Sequence, residues 1–168
     1  MLIATVSMRA QIPAHNGMAM AKPAASTSAT LTLTGLGGIT RSLTPDTLEA
    51  LPHVTVTVMN AHNGRTEVYS GVPVKDLLDT VASPKSDTAP KVSANMTLIV
   101  AEATDHFRVA ITLCDTDPTC RNGQAIVADS IDGKSLAADG AFNLVLTEDK
   151  KPGRWARNLA SLNVQAVR

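Results

Sequence analysis

The sequence predicts an α+β domain dominated by β-structure: a β-rich mixed sheet that curls into a barrel-like or sandwich-like core, with short helices outside. Three observations carry this expectation. Short segments alternate polar and apolar residues with a period of two and are rich in Thr and Val, as half-buried strands are. Turn formers punctuate them at short intervals. Helical periodicity is confined to two short stretches.

The first strand is Ala29 to Leu36, ended by Gly37-Gly38. A short helix follows. Thr44 is a good N-cap, Pro45 suits the first helical position, and Asp46 complements the positive helix end. Leu48 and Leu51 are expected in the core, and Pro52 stops the helix. Residues 53 to 59 form a second strand, Asn63-Gly64 signals a hairpin, and Arg65 to Tyr69 return. Pro73 opens a second helix, whose Val74, Leu77, Leu78 and Val81 fall at i, i+3, i+4 and i+7 on one stripe. A Pro/Ser/Lys/Asp-rich loop spans 83 to 92. Strands are then expected over 96–102, 106–112, 125–128, 141–147 and 159–167, with turns at Thr104-Asp105 and Asp132-Gly133. The total is about seven or eight strands and two helices.

The 168 residues suit one domain over 29–168, and a 44% hydrophobic content suffices for a core. Residues 1–28 differ: they hold Pro13, Pro23, Asn16, Gly17 and Met1, Met8, Met18 and Met20. They read as a disordered tail or as an export leader with a weak apolar stretch. A leader would make the protein periplasmic or otherwise exported; a tail leaves the cytoplasm open. Fifteen basic residues balance fifteen acidic ones, which argues against a nucleic-acid partner. Aromatics make up 2%, too few for a base-stacking platform. No apolar run approaches the roughly 20 residues of a transmembrane helix. Cys114 and Cys120 flank a loop sequence; they read as a small disulfide in an oxidising compartment or as free thiols in a reducing one. Their spacing, with no second pair and no nearby His, is not a zinc pattern.

Three groups of residues could carry binding chemistry. His62, Asn63 and Arg65 sit at the hairpin, where they could donate to an anion or only make a solvated turn. His106 and Arg108 share one strand face two residues apart; they could join the same cleft or lie on the wet side of a sheet. Lys150 to Arg157 is the densest cationic run. In it Arg154, Trp155 and Arg157 could form a basic rim and aromatic wall for an anionic heterocycle, or Trp155 could plug the core. Nothing pairs carboxylates for acid–base work, and no Ser-His-Asp or Cys-His arrangement stands out.

Four local signatures, in this order, carry a resemblance to a family. The first is Leu31-Thr32-Leu33-Thr34-Gly35, then Leu43-Thr44 and Leu48-Glu49-Ala50-Leu51-Pro52. The second is Tyr69-Ser70-Gly71-Val72-Pro73-Val74-Lys75-Asp76-Leu77-Leu78. The third is the strand pair around Asp105, then Ala128-Asp129 with Asp132-Gly133. The fourth is Phe142-Asn143-Leu144-Val145-Leu146, then Asp149 through Arg157 to Leu159. Together, over 30–167, they resemble the molybdopterin-binding domain of the sulfite oxidase family, in its small stand-alone form. In enzymes of that family a cysteine thiolate ligates molybdenum just after the strand matching 54–59, in a Cys-x-Gly-Asn-Arg type segment. Here that segment reads Met59-Asn60-Ala61-His62-Asn63-Gly64-Arg65. The Asn-Gly-Arg character remains and the cysteine does not; a Met thioether is a poor substitute for a thiolate. The candidate cofactor-binding positions are Asn60, His62, Asn63, Arg65, His106, Arg108, Arg154, Trp155 and Arg157; the cofactor stays open, and molybdopterin is the one the resemblance implies. The missing cysteine favours a non-catalytic module that binds a small anionic ligand, a pterin or a protein partner. The alternative is a molybdopterin-dependent oxidoreductase subunit with a haem or flavin redox partner; a third reading is an assembly protein of the cell envelope.

Overall fold

The computed structural model describes residues 30–61, 63–82, 93–136 and 139–167. The expectations for 1–28, the 83–92 loop and His62 fall outside the described residues.

Alternation does most of the work. In β1 (Leu31–Thr34) the leucines are buried and the threonines half-buried. In β3 (Val54–Asn60) and β4 (Arg65–Pro73) alternate positions are buried in the same way. The β3–β4 hairpin pairs Asn60 with Arg65 and closes through the Gly64 amide donating to the Asn60 carbonyl at 2.8 Å. Gly64 takes φ 66°, which a Cβ would disfavour. The Asn63-Gly64 signal therefore marks a four-residue loop, 61–64, rather than a two-residue turn.

The remaining strands are β2 (Thr40–Leu43), β5 (Thr97–Ala103), β6 (Arg108–Thr112), β7 (Ala125–Ile131), β8 (Lys134–Ser135), β9 (Asn143–Leu146) and β10 (Leu159–Ala166). Among the described residues there are thus ten strands, not seven or eight. The two additional ones have no alternation to announce them. β2 exposes Thr40, Arg41 and Ser42 and is held by pairing with β1; β8 is two residues long and folds back from β7.

The helices are α1 (Pro45–Glu49) and α2 (Val74–Asp79). Thr44 caps α1: its Oγ1 accepts from the Thr47 amide at 3.3 Å, and Thr47 Oγ1 accepts from the Thr44 amide at 2.6 Å. Leu48 is fully buried and Leu51 half-buried. α2 starts immediately after Pro73 and buries Val74, Leu77 and Leu78; it ends at Asp79, so the expected fourth member of the stripe, Val81, is buried in the turn that follows.

Two sheets result. The first runs β2-β1-β10-β5-β6 and is mixed, because β1 and β10 are parallel. The second runs β3-β4-β7-β8, with β9 also on β7, and is antiparallel. The main core gathers Leu31, Leu33, Leu48, Leu77, Ile99, Val127, Phe142, Leu144 and Leu162 from both sheets and both helices. A second cluster of Val56, Val58, Tyr69, Ile126, Ala128 and Val145 covers the other face of the second sheet. β7 and β9 contribute to both, which is why Ala125–Ala128 and Asn143–Leu146 are continuously buried. Fully burying a Leu or Ile contributes about 2 kcal/mol, so the two-sided strands anchor the fold. The α+β, sandwich-like architecture is the one expected. Cys114 and Cys120 are bonded to each other, with Cα atoms 5.5 Å apart. No helix is long and apolar enough to cross a membrane among the described residues.

Candidate functional site

Two polar places stand out, one at each end of the β3–β4 hairpin.

At the loop end, Glu67 is a buried carboxylate, 9% exposed, on the inward face of β4. Burial alone would raise its pKa. Three donors reverse that: Asn60 Nδ2 at 2.8 Å, Asn63 Nδ2 at 3.0 Å and Tyr69 Oη at 2.9 Å. With the nearby Arg157 charge they hold Glu67 below the ordinary carboxylate value, hence ionised. Burial, then the Glu67 hydrogen bond, pushes the Tyr69 phenol well up, so it stays a donor. Trp155 meets the Tyr69 ring edge-on at 5.7 Å and donates its Nε1–H to the Leu146 carbonyl at 2.9 Å. Arg157 lies 3.5 Å from Asp139.

Four of the sequence-derived positions, Asn60, Asn63, Trp155 and Arg157, thus share one neighbourhood. The others do not join it. Arg65 is exposed in the first position of β4. His106 and Arg108 belong to the turn before β6 and to β6, an edge of the other sheet. His106 takes φ 64° and sits 3.3 Å from Glu102, while Arg108 lies 3.6 Å from the same carboxylate. They are therefore a turn residue and a strand residue that share one surface carboxylate, not one face of one strand. Arg154 is clamped by Asp149, with Nε–Oδ2 at 2.9 Å, and approaches Asp115 at 3.5 Å. Asp115 also takes Arg121 at 2.9 Å. Trp155 serves as a core plug, since its indole N–H is committed to a backbone carbonyl.

The 59–65 segment, where the resemblance would put a ligand cysteine, offers no thiolate. Met59 is 73% exposed, the Asn60 amide is turned to Glu67, and the hub carries a negative carboxylate. Both cysteines are spent in the Cys114–Cys120 disulfide. These residues do not fit a molybdenum ion held by a protein thiolate. Among the described residues no group of three or more His, Cys, Asp or Glu side chains could hold a metal ion.

At the other end of the hairpin a cleft of about 670 Å³ opens beside α1 and the β7–β8 turn. Its walls include Glu49, His53, Ser70, Asp129, Ser130, Lys134 and Ser135. His53 Nε2 is 2.7 Å from Asp129 Oδ2, and Nδ1 is 2.7 Å from the Leu51 carbonyl oxygen. The Leu51 carbonyl oxygen can only accept, so Nδ1 donates to it, and a proton on Nε2 is shared with the Asp129 carboxyl group. Both contacts favour the protonated form of His53. Burial pulls its pKa down, but the Asp129 hydrogen bond, the Leu51 carbonyl and the charges of Asp129 and Glu49 raise it above the usual histidine value. The turn beneath is fixed by Asp132 (φ 50°) and Gly133 (φ 73°), a left-handed pair that suits a two-residue hairpin. The Asp132 carboxylate accepts from the Val68 amide at 3.0 Å, tying this turn to β4.

His53 and Asp129 escaped the sequence reading because they are 76 residues apart. A raised pKa fixes the sign of a pH effect. The pair's contribution is complete below the unfolded histidine value of 6.5 and is lost as pH rises through the folded value. Denaturant titrations from pH 5.5 to 9 should therefore show stability falling on the alkaline side. His53→Ala should cost about 2 kcal/mol at pH 6 and remove that fall, because it leaves Asp129 without its partner.

No protein-family model matches the chain, and no curated protein matches it. Among solved structures it is similar to the sulfane dehydrogenase SoxCD from Paracoccus pantotrophus, with a TM-score of 0.62 and 17% identity. The match covers 81% of this chain and 38% of that one, so the chain spans well under half of that protein's length. At this identity the likeness shows a shared fold.

Proposed function

We propose that this chain is a non-catalytic binding module built on a sulfite-oxidase-type fold, working without thiolate-held molybdenum. The signatures over 30–167 and the fold shared with a sulfane dehydrogenase support the ancestry. The observation that carries the reading is the hub at the matched segment: an ionised Glu67 gripped by Asn60, Asn63 and Tyr69. That carboxylate would repel an anionic cofactor, and no thiol stands beside it.

The ligand, in this reading, is a small anion bound in the cleft beside His53 rather than at Arg65, His106 or Arg154. Lys134 supplies the cation there, and Ser70, Ser130 and Ser135 supply hydroxyls. His53 and Asp129 neutralise each other. Glu49, also in the wall, favours an anion that carries a donor as well, such as a hydroxy acid or an amino acid.

Amide NMR titrations with sulfate, lactate and glycine test this. Saturable shifts centred on Ser130, Lys134 and Ser135 are expected with lactate or glycine. They should weaken at least tenfold in Lys134→Ala and persist in Arg65→Ala. Shifts centred on Arg65 and Arg157, or no saturable shift with any of the three, would sink the cleft assignment.

A further inference from the structure

We propose that two copies of this chain pair through the open edge of β3, making one continuous antiparallel sheet across a two-fold axis. β3 ends the second sheet and, among the described residues, pairs only with β4. An open edge presents unpaired amides and carbonyls, and natural proteins blunt such edges with charge, proline or shortness. The other sheet ends are blunted in this way. β2 has four residues and carries Arg41; β6 has five and begins with Arg108; β8 has two and carries Lys134. β9, which also ends on β7, is fully buried and covered by the chain around Ala156, whose carbonyl accepts from the Leu144 amide. A two-fold copy with its axis near Arg41, Arg108 or Lys134 would bring like charges together.

β3 has none of these devices. Val54-Thr55-Val56-Thr57-Val58-Met59 contains no charge, no proline and no glycine. It is also self-complementary. In an antiparallel pair, directly opposed residues lie on the same face. A two-fold axis at Val56 sets Val54 against Val58 and Thr55 against Thr57, in both directions. The inner Val face then continues the cluster of Val56, Val58 and Tyr69. The outer face meets as cross-strand Thr pairs, which favour association. The skin around the seam is uncharged and partly apolar, since Thr55, Thr57, Met59, Thr66 and Val68 share the outer face and Met59 is 73% and Val68 38% exposed. A second copy matches every one of these features at once: an uncharged edge, equal length and the same alternation.

Sedimentation equilibrium of the full chain over a micromolar concentration series provides the test, with far-UV circular dichroism to verify folding. Both substitutions below sit on exposed Thr side chains, so the monomer fold should survive. The wild type should reach twice the chain mass. Thr55→Lys with Thr57→Lys opposes like charges on both sides of the axis and should give a folded monomer. Thr55→Lys with Thr57→Glu opposes unlike charges in the same register and should restore the dimer. A wild type that stays monomeric throughout, or two double variants that associate equally, would overturn the proposal. If the double-lysine variant proves unfolded, concentration-dependent mass of the wild type still decides the matter.

Discussion

Replacing Glu67 by Ala should destabilise the protein by about 3 kcal/mol, the cost of orphaning buried donors together with the space left behind. Glu67 accepts from Asn60, Asn63 and Tyr69, and the Asn60 amide and Tyr69 hydroxyl are themselves buried. Truncation would remove the acceptor of the Tyr69 hydroxyl and one acceptor of the Asn60 amide, away from water. For a domain of this size the melting temperature should drop by roughly 10 °C. The pH dependence has a definite sign. The Glu67 carboxyl is held below its ordinary value, so its stabilisation is complete above about pH 4.5 and disappears as pH falls through the folded value. Glu67→Gln keeps the size of the side chain but not the charge. It should cost less, about 1–2 kcal/mol, and remove this part of the acid limb. Equal acid limbs in wild type and Glu67→Gln would mean that the carboxylate is not ionised in the folded state.

Gly71→Ala should cost more than about 3 kcal/mol, at the upper end for overpacked sites. The reason is local geometry. β4 shifts register against β7 between Ser70 and Gly71, and the two backbones approach closely there. A Cβ on Gly71 would overlap the Val127 carbonyl oxygen and crowd the Ala128 Cα, and neither is a side chain that can swing away. The two flanking strands carry the polar pair, with His53 just before β3 and Asp129 in β7, so the 2.7 Å contact between them should be lost as well. Gly133→Ala is the control. Its φ of 73° disfavours a side chain, but nothing lies within 4 Å of the added carbon, so about 1 kcal/mol is expected. Chemical denaturation of both variants decides this; similar losses would show that the close approach at Gly71 is not limiting.

Much of this fold was legible because alternation and capping are local. Thr44-Pro45 opens α1, the Val74, Leu77 and Leu78 stripe lies on α2, and the Thr-Val alternation of 54–59 lies in β3. What escaped depended on contacts between distant segments. β2 has the composition of a loop and is a strand only because β1 holds it. β4 runs through Gly71 to Pro73, beyond the Tyr69 end that alternation predicts, because β7 pairs with it to that point. The hub was half visible. Asn60 and Asn63 stood out at the matched segment, but Glu67 looked like one residue of a returning strand. The available signal was a carboxylate at an inward position of an alternating strand, two residues before Tyr69. His53 gave no signal at all, since its partner lies in β7. The cationic residues have acidic neighbours that composition alone did not assign to them: Asp149 and Asp115 engage Arg154, and Glu102 lies beside His106 and Arg108.

Elemental and pterin analysis of the full chain, purified from a molybdenum-replete host that makes the cofactor, bears most directly on the central reading. Molybdenum and pterin far below one equivalent per chain are expected, and should stay so after reduction of the Cys114–Cys120 disulfide. Near-stoichiometric molybdenum with pterin would contradict the account and make the chain a cofactor-bearing oxidoreductase subunit with an unusual ligand set.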